Sequence, residues 1–176
     1  MTAPAPYQIH ATNAQLQDLR DRLHNTRWPE REVVDDWSQG TPLSYVQEVS
    51  TYWADQYNWR SREAALNRLT QWRGEAEGFG LHFVHMRSQH EHALPLLLSH
   101  GWPGSIVEFA KAIPSLLDPV AYGGKAVDAF HIVAPSLPGF GFSDKPKTPG
   151  TGVHRIATLF DSLMRGLGYD RYVAQG

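Results

Sequence analysis

Leu94-Pro95-Leu96-Leu97-Leu98-Ser99-His100-Gly101-Trp102-Pro103-Gly104-Ser105 is the stretch on which the fold of this chain turns. Residues 96–99 are a short unbroken apolar run, the pattern of a strand buried on both faces. Residues 100–104 are crowded with glycine and proline, so the backbone there is built for geometry that ordinary residues resist. Ser105, with Glu108 three residues on, is a capping box that opens a helix, and Ile106, Phe109, Ala110, Ile113, Leu116 and Leu117 follow at helical spacing. Strand, tight turn and helix make half of a parallel α/β unit. Such a turn leaves free backbone N–H groups at the carboxyl end of a strand, where ligands sit in open α/β sheets. Donors fixed there can hold a developing negative oxygen. Taken alone, a turn that merely passes the chain from strand to helix is the commoner case.

Composition excludes several classes. At 176 residues, with 41% hydrophobic and 19% charged, the chain is long enough to bury a core and is globular rather than disordered. A formal net charge of −2 without a basic run gives a nucleic-acid partner no electrostatic footprint. There is no cysteine, which excludes disulfides, thiolate metal sites and a cysteine nucleophile. Residues 1–6 hold no basic residue and no apolar core, so no signal peptide is expected, and no run reaches the length of a membrane span. A cytoplasmic protein is the expectation.

Working outward, residues 1–11 read as a loose lead-in. Thr12 with Gln15 makes a second capping box, and Leu16, Leu19 and Leu23 mark one face of a helix that ends before Pro29. The following loop carries Glu30, Glu32, Asp35 and Asp36 without metal-ligand spacing and reads as solvated. Thr41-Pro42 starts a helix with the apolar face Leu43, Val46, Val49 and Trp53. A third helix runs from about Ser61, with Leu66 and Leu69 inward. Trp28, Trp37, Trp53, Trp59 and Trp72 all fall before residue 75. Residues 1–75 therefore read as an all-helical lead that lays an aromatic surface on the domain after it.

Residues 81–87 read as a strand with a turn at 88–92. His82 and His85 point to opposite faces of it and cannot share a metal ion. Residues 119–128 read as a loop. Its Gly123-Gly124-Lys125 lacks the upstream glycine and the following hydroxyl residue of a phosphate-binding loop. Residues 130–135 form the next buried strand, which runs into Ser136-Leu137-Pro138-Gly139-Phe140-Gly141-Phe142-Ser143. Gly139 and Gly141 lack the third glycine of a dinucleotide fingerprint, because Asp144 stands in its place. Val153, Ile156, Ala157, Phe160, Leu163, Met164 and Leu167 form an amphipathic helix closed by Gly168. Residues 171–176 read as a buried strand beyond which the chain is expected to continue. The order after residue 75, strand, strand, helix, strand, helix, strand, implies an α/β domain over 76–176 with a mainly parallel sheet.

Three motifs together, His100-Gly101-Trp102-Pro103-Gly104-Ser105, residues 135–143, and Gly168-Tyr169 to Gln175-Gly176, resemble the microsomal-type epoxide hydrolases of the α/β-hydrolase fold. Arg27-Trp28-Pro29, Asp36-Trp37, Tyr52-Trp53, Trp59-Arg60 and Leu66-Asn67 resemble the helical N-terminal segment of that family. The resemblance spans nearly the whole chain. The turn alone would indicate only an α/β-hydrolase with an HGxP oxyanion motif, and the lead narrows it. What it implies is the first half of a mainly parallel α/β-hydrolase sheet, preceded by a helical N-terminal segment.

The chemistry implied is hydration of a small-molecule epoxide to a vicinal diol. An aspartate on a nucleophile elbow forms an alkyl-enzyme ester, a histidine paired with an acid activates water to hydrolyse it, and two cap tyrosines donate to the epoxide oxygen. In this chain the resemblance gives the Trp102 backbone N–H an oxyanion role, sets Trp102 and Pro103 beside the substrate, and puts a cis peptide before Pro103. It assigns His100, Gly101, Gly104, Ser105, Glu108, Gly139 and Gly141 to the support of the turns, with His100 a motif residue rather than the base. No cofactor or metal is implied, and the charge and run lengths above give no reason to expect a nucleic-acid or membrane partner. The elbow pattern would begin at Gly176, so the nucleophile, base and cap tyrosines lie further on, and the partner implied is the C-terminal remainder of the same protein. A homo-oligomer is left open. No Gly-x-Ser-x-Gly supplies a serine nucleophile instead. The alternatives are a non-catalytic truncated chain that pairs with a partner through an open strand edge, or another α/β-hydrolase such as a dehalogenase or esterase.

Overall fold

A computed structural model describes residues 3–176. Two compact units are present, Ile9–Ala64 and, together, the residues up to Gln8 with Ala65–Gly176.

The first unit is helical. Helix α1 (Asn13–His24) begins at the expected capping box: Gln15 N–H donates to Thr12 Oγ1 at 3.2 Å, and Thr12 N–H donates to Gln15 Oε1 at 2.8 Å. Leu16, Leu19 and Leu23 are half-buried along one face, as the spacing predicts. Helix α2 (Leu43–Asp55) has Pro42 at its cap rather than at its first helical position. Pro42 offers no side-chain acceptor, and Leu43 N–H instead donates to the Glu32 carboxylate at 3.0 Å. One residue of the acidic loop thus caps a helix, and that N–H holds the Glu32 carboxyl below its ordinary range.

The inward face of α2 differs from the expected one. Leu43, Gln47, Ser50 and Ala54 turn inward, whereas Val46, Val49 and Trp53 stand exposed. Small side chains at 50 and 54 allow close approach on that row, and hydrophobicity alone picked the neighbouring row. Helix α3 (Trp59–Leu66) starts two residues before the expected point. Its Glu63 is buried and accepts from Ala11 N–H at 2.6 Å, Arg60 at 2.8 Å and the Trp59 indole N–H at 3.1 Å. The Ala11 N–H first, and Arg60 next, push the Glu63 carboxyl down to about 2.

The second unit is a six-stranded sheet in the order β1-β2-β3-β5-β4-β6. Its strands are β1 (Ala5–Tyr7), β2 (Gln71–Ala76), β3 (Phe79–Met86), β4 (Leu94–Leu98), β5 (Phe130–Pro135) and β6 (Val173–Gln175). Two strands correct the expectation of an all-helical residues 1–75. The supposed lead-in contains β1, and Trp72 belongs to β2. Strand β1 lies antiparallel on the distant β2, and β2 lies antiparallel on β3 through a hairpin whose Glu77 and Gly78 have φ of +53° and +77°.

The described sheet is mixed, with β3 antiparallel to β5 and with β4 parallel to both β5 and β6. Strand β6, expected as a buried strand, is exposed and pairs with β4 among the described residues.

Helices cover both faces, as an α/β sheet requires. On one face Leu81, Phe83, Leu97 and Val133 pack with Leu159, Phe160, Leu163 and Met164 of α5 (Val153–Gly166). On the other, Val84, Leu96, Leu98, Ile132 and Ala134 pack with Ile106 and Ile113. Gly168 closes α5 at φ +87°, as expected. The helix expected over 106–117 is broken into a 3₁₀ turn, Ile106–Phe109, and a short helix α4 (Ile113–Leu117). Pro114 is the cause: it has no N–H for the Ala110 carbonyl, so the chain re-starts instead of continuing. The segment 119–128 is likewise two short 3₁₀ turns rather than open loop.

Candidate active site

The parallel strands β4 and β5 run in register, Leu96 opposite Ile132, so their carboxyl ends stand side by side. From β4 emerges Ser99, then the turn 100–104; from β5 emerges Ser136, then the turn 137–143. Strand β6 brings Gly176 to the same edge, against Ser99, whose N–H donates to Gln175 O at 2.8 Å.

His100 joins the two turns. It is buried, with Phe140 edge-on at 5.7 Å. Leu137 N–H donates to His100 Nε2 at 3.0 Å. A backbone N–H can only donate, so Nε2 carries the lone pair and Nδ1 the proton, which it gives to Gly101 O at 2.9 Å. Both ring nitrogens are engaged. The Gly101 carbonyl lies in the same peptide plane as the Trp102 N–H, so the ring that holds one fixes the direction of the other.

Among the described residues the Trp102 N–H donates no hydrogen bond. The Trp102–Pro103 peptide is cis, as the resemblance implies. The Trp102 side chain is 81% exposed and Pro103 is exposed beside it.

The far side of the turn is equally fixed. Ser105 N–H donates to Glu108 Oε1 at 2.9 Å and Val107 N–H donates to Ser105 Oγ at 3.3 Å, so the expected capping box is present on a 3₁₀ turn. Gly104 has no room for a side chain, since a Cβ would press on the Glu108 carboxylate and lie 2.7 Å from Gly101 O. Gly101 has open space around its Cα and imposes no such demand. In the second turn Gly139 has φ +87° and its N–H donates to Asp144 O at 2.8 Å. Gly141 has φ +51°, and a Cβ there would lie 2.6 Å from Ser136 Oγ.

Beneath the second turn lies a polar network that the motifs did not reveal. His82, fully buried in β3, has Nδ1 2.9 Å from Ser136 Oγ and Nε2 2.9 Å from Gln71 Oε1. Burial first, and the Arg73 charge second, push His82 down to about 4, so the ring is neutral. Arg73 bonds Phe142 O and the Asp144 carboxylate, anchoring the end of the turn. The one sequence signal for this network is a histidine within an apolar strand. His85 lies on the opposite face as expected, 3.0 Å from the Tyr169 hydroxyl, and burial also pushes it down to about 4.

Among the described residues no three His, Cys, Asp or Glu side chains gather to hold a metal ion. Nor, among the described residues, is any helix long and apolar enough to cross a membrane. An open groove of about 760 Å³ runs along Glu77, Asp144, Lys145, Lys147 and Arg155, and contains none of the residues of the His100–Ser105 turn.

The chain is similar in sequence and in fold to known proteins. The family model described as "Epoxide hydrolase N terminus" matches residues 4–109, and that described as "alpha/beta hydrolase fold" matches residues 95–176. A protein of Stigmatella aurantiaca named "Putative epoxide hydrolase" is 56% identical over 171 residues, covering 97% of this chain and 39% of its own length. The crystal structure of juvenile hormone epoxide hydrolase from the silkworm Bombyx mori superposes with TM-score 0.89 at 31% identity, over 100% of this chain and 42% of that one. The structure of Aspergillus niger epoxide hydrolase gives TM-score 0.86 at 31% identity, over 99% and 46%. The chain thus spans about two fifths of the length of these relatives. With the family models matching residues 4–109 and 95–176, the chain belongs to the epoxide hydrolase N-terminus family and carries the α/β-hydrolase fold.

Proposed function

We propose that the protein carrying this chain is an epoxide hydrolase that converts small epoxides to vicinal diols through an aspartyl ester. Residues 100–105 supply one donor of its oxyanion hole. The observation that supports this most directly is the Trp102 N–H, unpaired among the described residues and aimed by a peptide whose carbonyl His100 holds. The relatives' names support the substrate class.

The chemistry divides into two halves. A carboxylate attacks an epoxide carbon, a C–O bond forms, the ring C–O bond breaks, and the released oxygen takes a proton from an acid in the remainder of the protein. Carboxylate attack needs no prior deprotonation of a hydroxyl. Water then adds to the ester carbonyl, and the carbonyl oxygen becomes an oxyanion. A donor already fixed stabilises it without reorganisation. Collapse frees the diol and restores the carboxylate. His100 supports the turn, since its lone pair is taken by Leu137 N–H and its proton by Gly101 O. The nucleophile, base and cap tyrosines belong to the C-terminal remainder, without cofactor or metal. Removal of electrophilic epoxides in the cytoplasm is the role this chemistry suits.

The test is a single turnover of the full-length protein on an aryl epoxide in heavy-oxygen water. The expected first diol carries ordinary oxygen from the protein carboxylate, and residues 1–176 alone form none. Heavy oxygen in the first diol, or appreciable diol from residues 1–176, contradicts the proposal.

A further inference from the structure

We infer that His82 is a positioning residue for the Trp102 turn, acting through the Ser136–Leu137 peptide and the His100 ring. The inference rests on the oxyanion role proposed for Trp102. The Ser136–Leu137 peptide is gripped at both of its polar atoms. Its carbonyl accepts from Ser143 Oγ at 2.8 Å, and its N–H donates to His100 Nε2 at 3.0 Å. Whatever tilts this peptide moves the His100 ring, and with it the Gly101–Trp102 peptide that the ring holds.

His82 makes three of the bonds that set the tilt. Its carbonyl accepts from Ser136 N–H at 2.8 Å. Its N–H donates to Ser143 Oγ at 3.0 Å, leaving that hydroxyl proton for the Ser136 carbonyl. Its Nδ1 lies 2.9 Å from Ser136 Oγ. The side-chain bond has a fixed direction. Gln71 Nε2 donates to Leu66 O at 2.9 Å, which leaves Gln71 Oε1 to accept from His82 Nε2–H. His82 Nδ1 is then an acceptor, and Ser136 O–H must donate to it. A line of directed bonds runs from Gln71 in β2, through His82 in β3, to the ends of β5 and β4.

An imidazole is required because it donates at one edge and accepts at the other while neutral. Phenylalanine of similar shape would leave the buried Ser136 hydroxyl and Gln71 carbonyl unpaired. The backbone bonds of residue 82 survive substitution, so the effect is displacement of the turn, not its loss. Tyr7 and Phe142 flank the ring at 5.1 and 5.2 Å and hold the volume.

The experiment compares His82→Phe, His82→Asn and Ser136→Ala in the full-length protein, measuring the rates of ester formation and ester breakdown separately in single turnovers. Complete loss of one fixed oxyanion donor slows a reaction by roughly 10²–10³, so a displaced donor is expected to slow ester breakdown about tenfold in His82→Phe and Ser136→Ala. Ester formation changes less than about twofold, because that step develops no charge at this donor. His82→Asn, whose Oδ1 can accept from Ser136 O–H, recovers most of the loss. Should His82→Phe fail to fold, Ser136→Ala carries the test. Equal slowing of both steps overturns the inference, as does unchanged breakdown in Ser136→Ala and His82→Phe when Gly104→Ala is slow. If Gly104→Ala also leaves breakdown unchanged, the oxyanion role itself fails.

Discussion

Gly104→Ala slows breakdown of the alkyl-enzyme ester about a hundredfold while leaving its formation nearly unchanged. A Cβ at residue 104 would lie 2.7 Å from Gly101 O and against the carboxylate of Glu108. Neither neighbour yields easily. Glu108 is tied to Ser105 N–H at 2.9 Å, and the Gly101 carbonyl is tied to the His100 ring. The strain is relieved by rotating the Gly101–Trp102 peptide, which turns the Trp102 N–H away from the forming oxyanion. Loss of one such donor costs roughly 10²–10³ in rate, and partial rotation falls at the lower end. Rapid-mixing measurement of the trapped ester separates the two steps. A variant that slows both steps equally, or neither, contradicts this account of the turn.

A second large effect is a loss of stability in mild acid. His82 ionises at about 4 in the folded protein against 6.5 when unfolded. Between those values the unfolded chain binds the extra proton, so stability is full above pH 6.5 and falls as pH drops toward 4. The displacement corresponds to about 3 kcal/mol for this fully buried ring. Denaturant unfolding of the full-length protein and of His82→Asn at pH 7 and pH 4 isolates the term. The stability advantage of the natural protein over the variant shrinks by about 3 kcal/mol across that range. A pH-independent difference contradicts it. His85 and His131 are shifted in the same direction by burial and Arg87, and add to the fall in both proteins. Glu63 titrates in a lower window. Its stabilisation is full above 4.5 and is lost only as pH falls toward 2.

The parts of the fold that were legible in sequence are those whose causes are local. Glycine, proline and the Ser105–Glu108 pair announce the turn because dihedral limits and caps act within a few residues. The apolar runs of β4 and β5, and the stripe of α5, report burial directly. Strands β1 and β2 were hidden because Gln71-Trp72-Arg73-Gly74-Glu75-Ala76 neither alternates nor runs apolar, and it is held by pairing with residues on either side. The break at Pro114 was masked because Ile106 and Ile113 both still reach the core across the interruption. On α2 the hydrophobic stripe and the packed row are neighbours, and only the packed geometry chooses between them. His82 shows the same limit at the candidate site. Its partners Gln71 and Ser136 lie 11 and 54 residues away, so the network exists only once β2, β3 and β5 are assembled.

Replacement of the Trp102 backbone amide by an ester in the full-length protein removes the one N–H at issue and keeps every side chain. Breakdown of the alkyl-enzyme ester is then expected to slow by roughly 10²–10³, with epoxide opening unaffected. Breakdown within twofold of the natural protein would mean that no negative charge forms at Trp102.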